Sequence, residues 1–416
     1  MSVPLHQTRH RALLPVGLPD VLPPDAGHEA ALMERLMASF ASHGYQRVKP
    51  PLLEFTDSLL AGIGADTTLS HQTFRVLDPQ SGMMMGIRPD FTPQVARIAG
   101  SRLSQAPRPL RLAYCGQVLR VASSQIQPER QIDQVGVELI GASQPEADAE
   151  IILLAANSLA GLGIISLSVD LCMPTLVPTL CQAWGLDPDT TERLRQALDR
   201  KDAAGVAAVG GEPALVLGRL MAAAGLADGA LETLEAMPLP AAAEPDRQHL
   251  AQVVRLVRHA APHLMVTLDL VEYRGFEYQD GVSFTLFSRG RGGESGSGLE
   301  LGNGGRYRAG ATQDIRGEKD IPGEPATGFT LYANAVVKTA PPPEARSQVY
   351  LPHGTDPQKG EQLRADGWVT LAGLALLAEA EAKAEAIRLG CGFIVTSRDA
   401  RPVKLADDGS AKTSTP

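Results

Sequence analysis

The sequence predicts an α+β chain: an antiparallel sheet flanked by helices, interrupted by a helical insertion and followed by a small C-terminal α/β domain. Three observations carry this. Between Leu110 and Gly141, two runs of alternating residues are separated by a polar loop, the period of two that half-buried strands show. From Pro174 to about Pro262 the texture turns alanine- and leucine-rich at helical spacing, and strand signals nearly vanish. Beyond Pro341–Pro343, short strand-like and helix-like runs alternate, as in a small α/β unit.

At 416 residues the chain is long enough for two or three domains. Hydrophobic content of 44% and charged content of 20% are ordinary for globular proteins. The net charge of −9 argues against a large nucleic-acid footprint. Cys115, Cys172, Cys181 and Cys391 lack metal-type spacing, so reduced thiols in a cytoplasmic protein are the expectation. No signal-peptide core and no apolar run of membrane-spanning length is visible. His71, His249 and His263 show no ligand spacing, and neither a metal nor a cofactor is indicated.

In chain order, residues 1–24 are polar and proline-punctuated. Asp25 is placed to cap a helix carrying Leu32, Leu36, Met37 and Phe40, with Gly44 as its stop. Gln46–Pro51 reads as extended, because residues before proline avoid the helical basin. Thr73–Leu77 and Gly82–Ile87 read as strands around an Asp78-Pro79 turn. Phe91–Leu103 reads as a helix with Thr92 as cap and Pro93 in its first turn. Pro145–Leu159 is a further helix and Leu167–Leu171 a strand. Strand texture returns at Leu264–Leu270, Gly281–Phe287 and Leu299–Tyr307. The glycine- and serine-rich stretch Arg289–Gly298 reads as a mobile loop, and Gly328–Val337 as helical.

The second strand of the hairpin sorts by parity. Ile132, Gln134, Gly136, Glu138 and Ile140 share one face; Asp133, Val135, Val137 and Leu139 share the other. Gln134 and Glu138 stand about 13 Å apart, with Gly136 between them. Two readings fit: an edge hairpin with one wet face, or a floor on which a small polar ligand lies gripped at both ends. Glu138 in an otherwise apolar strand needs a partner. Asp90 and Thr92 likewise fit a helix start with its cap, ligand contacts, or both.

The order of motifs resembles the class II histidyl-tRNA synthetases from about Leu18 to Val337. Gly44–Glu54 is similar to that family's first motif, which lies at a dimer interface. Gly86–Arg97 (GIRPDFTPQVAR) is similar to its amino-acid-site segment. The hairpin with QVGVE at Gln134–Glu138 is similar to its second motif. Tyr273–Phe284 (YRGFEYQDGVSF) resembles its histidine signature, and Gly304–Tyr307 (GGRY) the next one. The fold implied is a class II aminoacyl-tRNA synthetase-like core. Its division would be an N-terminal segment at 1–24, a core at 25–173 and 263–338, and an insertion at 174–262. A linker at 339–346, a small α/β domain at 347–405 and a disordered tail at 406–416 would follow. The resemblance assigns Asp90, Thr92, Arg120, Gln134, Glu138, Arg274 and Tyr278 to histidine binding. Gln279 stands where the synthetases carry a second tyrosine.

The nucleotide half departs from the family. Arg120 is followed by Val121, Ala122, Ser123 and Ser124 instead of an acidic residue and arginine-proline. In the third motif, Tyr332, Asn334 and Ala335 replace a glycine, a carboxylate and an arginine. Adenylyl transfer depends on such charged groups, and losing one costs ~10²–10³ in rate. The combination resembles the non-catalytic paralogues within this family. That resemblance implies a short-form catalytic subunit of ATP phosphoribosyltransferase as partner and L-histidine as effector. It also implies a dimer within a hetero-octamer, with no tRNA and no membrane contact. An active histidyl-tRNA synthetase is the alternative.

Overall fold

The computed structural model describes residues 13–62, 67–122, 129–272, 279–288, 298–310, 312–313, 320–321, 323–342, 347–396 and 402–404. Helix α1 (Asp25–Ser42) buries Leu32, Met33, Leu36, Met37 and Phe40, the stripe its spacing predicts. It ends before Gly44, whose φ of +85° is cheap only for glycine. Pro24, not Asp25, occupies the N-cap, and no side chain caps this helix. Asp25 sits one position inside, where its charge opposes the positive end of the helix dipole.

Strands β1 (Gln46–Arg47) and β2 (Leu53–Phe55) lead into the short helices α2 (Thr56–Leu59) and α3 (Thr67–Gln72). Strands β3 (Arg75–Leu77) and β4 (Met84–Ile87) then flank a turn in which the Asp78 carboxylate accepts from the Gln80 and Ser81 amides. Helix α4 (Thr92–Ser101) precedes the hairpin β5 (Leu110–Leu119) and β6 (Gln131–Ile140). Helix α5 (Pro145–Gly161) and strand β7 (Leu167–Cys172) follow.

The alanine- and leucine-rich stretch folds as α6 (Leu176–Ala183), α7 (Pro188–Asp199), α8 (Ala203–Ala207) and α9 (Gly211–Ala222). A two-residue strand β8 (Gly225–Leu226), α10 (Ala227–Ala236) and α11 (Glu244–Ala260) complete it. Its buried residues Leu194, Leu198, Leu217, Leu220 and Leu250 join the same apolar cluster as the sheet. The chain returns through β9 (Met265–Asp269), β10 (Ser283–Ser288), β11 (Leu299–Ala309), β12 (Thr312–Gln313), β13 (Asp320–Ile321), β14 (Glu324–Tyr332) and α12 (Ala333–Thr339). The expected helix over Gly328–Val337 is therefore strand as far as Tyr332. Gly328–Tyr332 pairs with β6 on one side and Gly328–Leu331 with β11 on the other, and two ladders outweigh a local helical preference.

The main sheet has nine strands in the order β1-β5-β6-β14-β11-β10-β7-β9-β8, antiparallel except where β1 meets β5 and β7 meets β9. Strands β2, β4 and β3 form a separate sheet. The hairpin is no edge ribbon with a wet face. Strand β6 lies between β5 and β14, and Gln134 and Glu138 are each 1% exposed.

A boundary between Pro341 and Pro342 separates a second compact unit. It contains β15 (Gln348–Leu351), α13 (Pro357–Ala365), β16 (Val369–Ala372), α14 (Glu379–Arg388), β17 (Phe393–Val395) and β18 (Pro402–Lys404). Its sheet order is β16-β15-β17-β18, and Val349, Tyr350, Leu363, Ala386 and Ile394 form small cores of its own.

Candidate binding site

Four of the predicted site residues meet on one face of the sheet. Gln134 donates through Nε2 to Asp90 Oδ1 at 2.9 Å and accepts at Oε1 from the Phe91 amide at 3.3 Å. Asp90 Oδ2 accepts from the Thr92 amide at 3.2 Å. Asp90 therefore serves the start of α4, and Thr92 is not its cap. The Thr92 hydroxyl instead donates to Glu138 Oε1 at 2.9 Å, because α4 faces the sheet and turns its first side chain onto β6.

Glu138 is the centre of this network. Tyr307 donates to its Oε2 at 2.8 Å, and Tyr114 reaches its Oε1 at 3.4 Å while pairing with the Thr330 hydroxyl at 2.7 Å. Burial pushes the Glu138 carboxyl up to about 8, against the hydrogen bonds from Tyr307 and Thr92, and the nearby Asp90 carboxylate raises it further. Burial likewise drives the Tyr114 phenol well above its usual range. Gly328, opposite Glu138 on β14, is required: a Cβ there would stand 1.9 Å from the carboxyl oxygen.

Gly136 is not an empty floor. A Cβ at that position would lie 2.2 Å from the Phe329 carbonyl oxygen and 2.6 Å from the Tyr114 hydroxyl. Tyr114 fills the space directly over Gly136, stacked on Phe91 with ring centroids 4.8 Å apart. Arg88 closes the stack, its guanidinium 3.8 Å from the Phe91 centroid and its Nε donating to the Gln117 carbonyl at 2.7 Å.

Arg120 lies at the opposite end of the face from Glu138. Its Nε donates to the Pro89 carbonyl at 3.4 Å, and its charge acts on the Tyr332 phenol and on Glu300. Arg274 and Tyr278 lie outside the described residues, as do 289–297 and the tail at 406–416. A cavity of about 20 Å³ opens beside Glu138, lined by Thr92, Gln279, Asn303, Tyr307 and Thr330, room for a single water. Gln279 covers Gly305 and accepts from the Ser283 hydroxyl.

Sequence reasoning did not assign Tyr114, Asn303, Tyr307 or Thr330 to the site. Parity was the available signal, since Asn303, Gly305 and Tyr307 alternate on β11, as Gly328, Thr330 and Tyr332 do on β14. His249, expected to be incidental, contacts Asp148 Oδ2 at 2.6 Å, and that carboxylate also takes Arg306 Nη2 at 2.7 Å. Among the described residues no cluster of metal-ligating side chains exists, and no helix is long and apolar enough to cross a membrane.

This largely antiparallel sheet with α4 and α12 against it defines a class II synthetase-like fold. The family model for histidyl-tRNA synthetase matches residues 17–336. The chain is 54% identical over 383 residues to the ATP phosphoribosyltransferase regulatory subunit of Rhodospirillum centenum, covering 92% of this chain and 94% of that protein. It is 50% identical to the protein of the same name from Paramagnetospirillum magneticum, covering 91% and 95%. Among solved structures, a Bacillus halodurans protein described as an ATP phosphoribosyltransferase regulatory subunit/histidyl-tRNA synthetase superposes with a TM-score of 0.72 at 23% identity, over 92% of this chain and 97% of that one. Histidyl-tRNA synthetase from Nostoc superposes with a TM-score of 0.74 at 16% identity, over 96% and 98%. The chain belongs to the histidyl-tRNA synthetase family and, within it, to the ATP phosphoribosyltransferase regulatory subunits.

Proposed function

We propose that this chain binds free L-histidine without activating it, and thereby regulates a short-form catalytic subunit of ATP phosphoribosyltransferase. Histidine would then feed back on the first step of its own synthesis. The observation that carries the reading is the two-ended polar face. A buried carboxyl ringed by hydroxyls, Glu138, stands at one end, and a guanidinium, Arg120, at the other. A carboxyl group accepts a ring N–H, and a guanidinium receives a carboxylate. Asp90, Thr92 and Gln134 complete the described part of the pocket, and Arg274 and Tyr278 belong to it in this reading. An imidazole needs more room than the present 20 Å³, so entry requires a neighbour such as Gln279 to move.

Several features support the loss of synthetase chemistry. Tyr332 stands at the end of β14 within electrostatic reach of Arg120, and the Asn334 side chain accepts from the Ala335 amide at 2.9 Å. The groups expected to neutralise a nucleotide are absent from these positions. The partner and the regulatory role rest on what the relatives are named. A dimer within a hetero-octamer is part of the same reading. It is supported by Leu53, Phe55 and Val76, exposed by 38%, 38% and 47% on one face of the β2–β4–β3 sheet. The domain division, with an insertion at 174–262 and a separate domain from 347, belongs to it as well, as does a cytoplasmic location, which the free thiols suit. Histidine acts only through its differential affinity for two states of the assembly.

Titration calorimetry of the purified chain with L-histidine tests the reading. Saturable binding is expected, and none up to millimolar concentration refutes it. Histidine-dependent exchange of pyrophosphate into ATP would establish the synthetase alternative instead.

A further inference from the structure

We propose that Tyr332 is a ligand-binding residue that, together with Arg120, makes the pocket select ligands carrying an α-carboxylate. The inference rests on the amino-acid reading given above and adds a specificity determinant to it.

The hydrogen-bond inventory around the phenol leads there. Tyr332 ends β14 directly opposite Gln134 and is 6% exposed. Its oxygen accepts from Asn303 Nδ2 at 3.1 Å, and the Arg120 guanidinium, which can only donate, lies within electrostatic reach of it. A phenol has two acceptor positions and one proton to give. With the Asn303 amide donating to the oxygen, the O–H proton is the group left to be offered, and it is offered beside a guanidinium. Two donors side by side, one of them charged, suit an anionic acceptor. Burial pushes the phenol up to about 12, so it remains a donor at neutral pH. Glu300 lies within electrostatic reach of Arg120, and Asn303 approaches Glu300 at 3.5 Å, which fixes this corner from the β11 side.

The two poles of the face differ in chemistry. Tyr332 pairs with Gln134, and Gly328 pairs with Glu138, so the poles are four residues apart, about 13 Å along the strands. A ligand spanning them meets a carboxyl and hydroxyls at one end and a guanidinium and a phenol at the other. An α-amino acid with an N–H-bearing ring presents both matching groups. The corresponding amino alcohol lacks the second.

Calorimetric titration of the full chain with L-histidine and with L-histidinol, in the wild type and in Tyr332→Phe, tests this. The phenylalanine keeps the ring and removes one hydrogen bond to a charged acceptor. Histidine affinity should fall by about tenfold or more, histidinol affinity should stay, and the preference for the acid should shrink by that factor. Asn303→Ala, which releases the phenol from the amide that donates to it, should give a smaller loss with the same selectivity and serves if the first variant fails to fold. A purely structural role would weaken both ligands alike. An undiminished preference for histidine in Tyr332→Phe overturns the inference and leaves the amino-acid reading standing. Failure of the wild type to bind either ligand removes both.

Discussion

The environment of Glu138 denies its carboxyl the usual way of being charged. The carboxyl is lifted from an ordinary 4.5 to about 8, chiefly by burial. Between those values the folded chain keeps a proton that the unfolded chain releases. This group's contribution to stability is therefore fully present below about pH 4.5 and is lost as pH rises through about 8, at up to ~1.4 kcal/mol per pH unit. Glu138→Gln should flatten that part of the profile. Urea unfolding at a series of pH values checks it, and an unchanged slope would show that the carboxyl is ionised in the folded state. Gly136→Ala should cost ~1–3 kcal/mol by overpacking, because its Cβ meets the Phe329 carbonyl at 2.2 Å. The same denaturation experiment reads that loss.

Elements far apart in the chain are fastened by buried ions as well as by apolar surface. Arg306 on β11 holds Asp148 on α5 through Nε at 3.1 Å and Nη2 at 2.7 Å, and donates to the Ala142 and Gln144 carbonyls at 2.9 and 3.2 Å. His249 brings α11 onto the same carboxylate. Asp148 is 1% exposed and Arg306 6%, so removing one partner strands a buried charge. Arg306→Ala should destabilise by ~3–5 kcal/mol, read as a lowered denaturation midpoint. Replacing the ion pair by apolar residues of matching volume should cost far less, since the desolvation of both charges is then avoided. Glu54 does a related job for α4: it takes Arg97 through Nε at 2.9 Å and Gln94 at 2.9 Å, holding the helix that carries Thr92.

At the scale of the molecule, two units have separate cores. The larger owns the sheet and the candidate site. A chain ending at Pro341 should therefore unfold cooperatively with a melting temperature close to the full chain's, followed by circular dichroism. Non-cooperative melting would show that the smaller unit supports the larger. The exposed apolar face of the β2–β4–β3 sheet is where self-association is expected. Phe55→Glu places a charge in it and should shift sedimentation velocity toward monomer, with no change for a charge placed on an already polar surface.

Much of this was legible in the sequence, and the physical reason is locality. Period-two alternation marked β5 and β6, helical spacing marked α1 and α11, and glycine marked the end of α1, because each signal is written within a few residues. The identities of Gln134 and Glu138, one parity apart from Val135 and Val137, announced a polar group on an apolar strand. Their surroundings were not announced. The hydroxyls on Glu138 come from Tyr307, 169 residues away, and from Thr92, 46 residues away, and Tyr114 meets Thr330 across 216 residues. Strand order and register decide such meetings, and no local period encodes them. Thr92 could be read as a cap until α4 was seen to face β6. Gly136 could be read as a ligand floor until Tyr114 was seen to fill it, and Gly328–Tyr332 as helix until two ladders claimed it. Sequence alone determined which polar residues stand on an otherwise apolar strand; the tertiary structure decided which side chains face them, because only a folded sheet places side chains from distant segments on one surface.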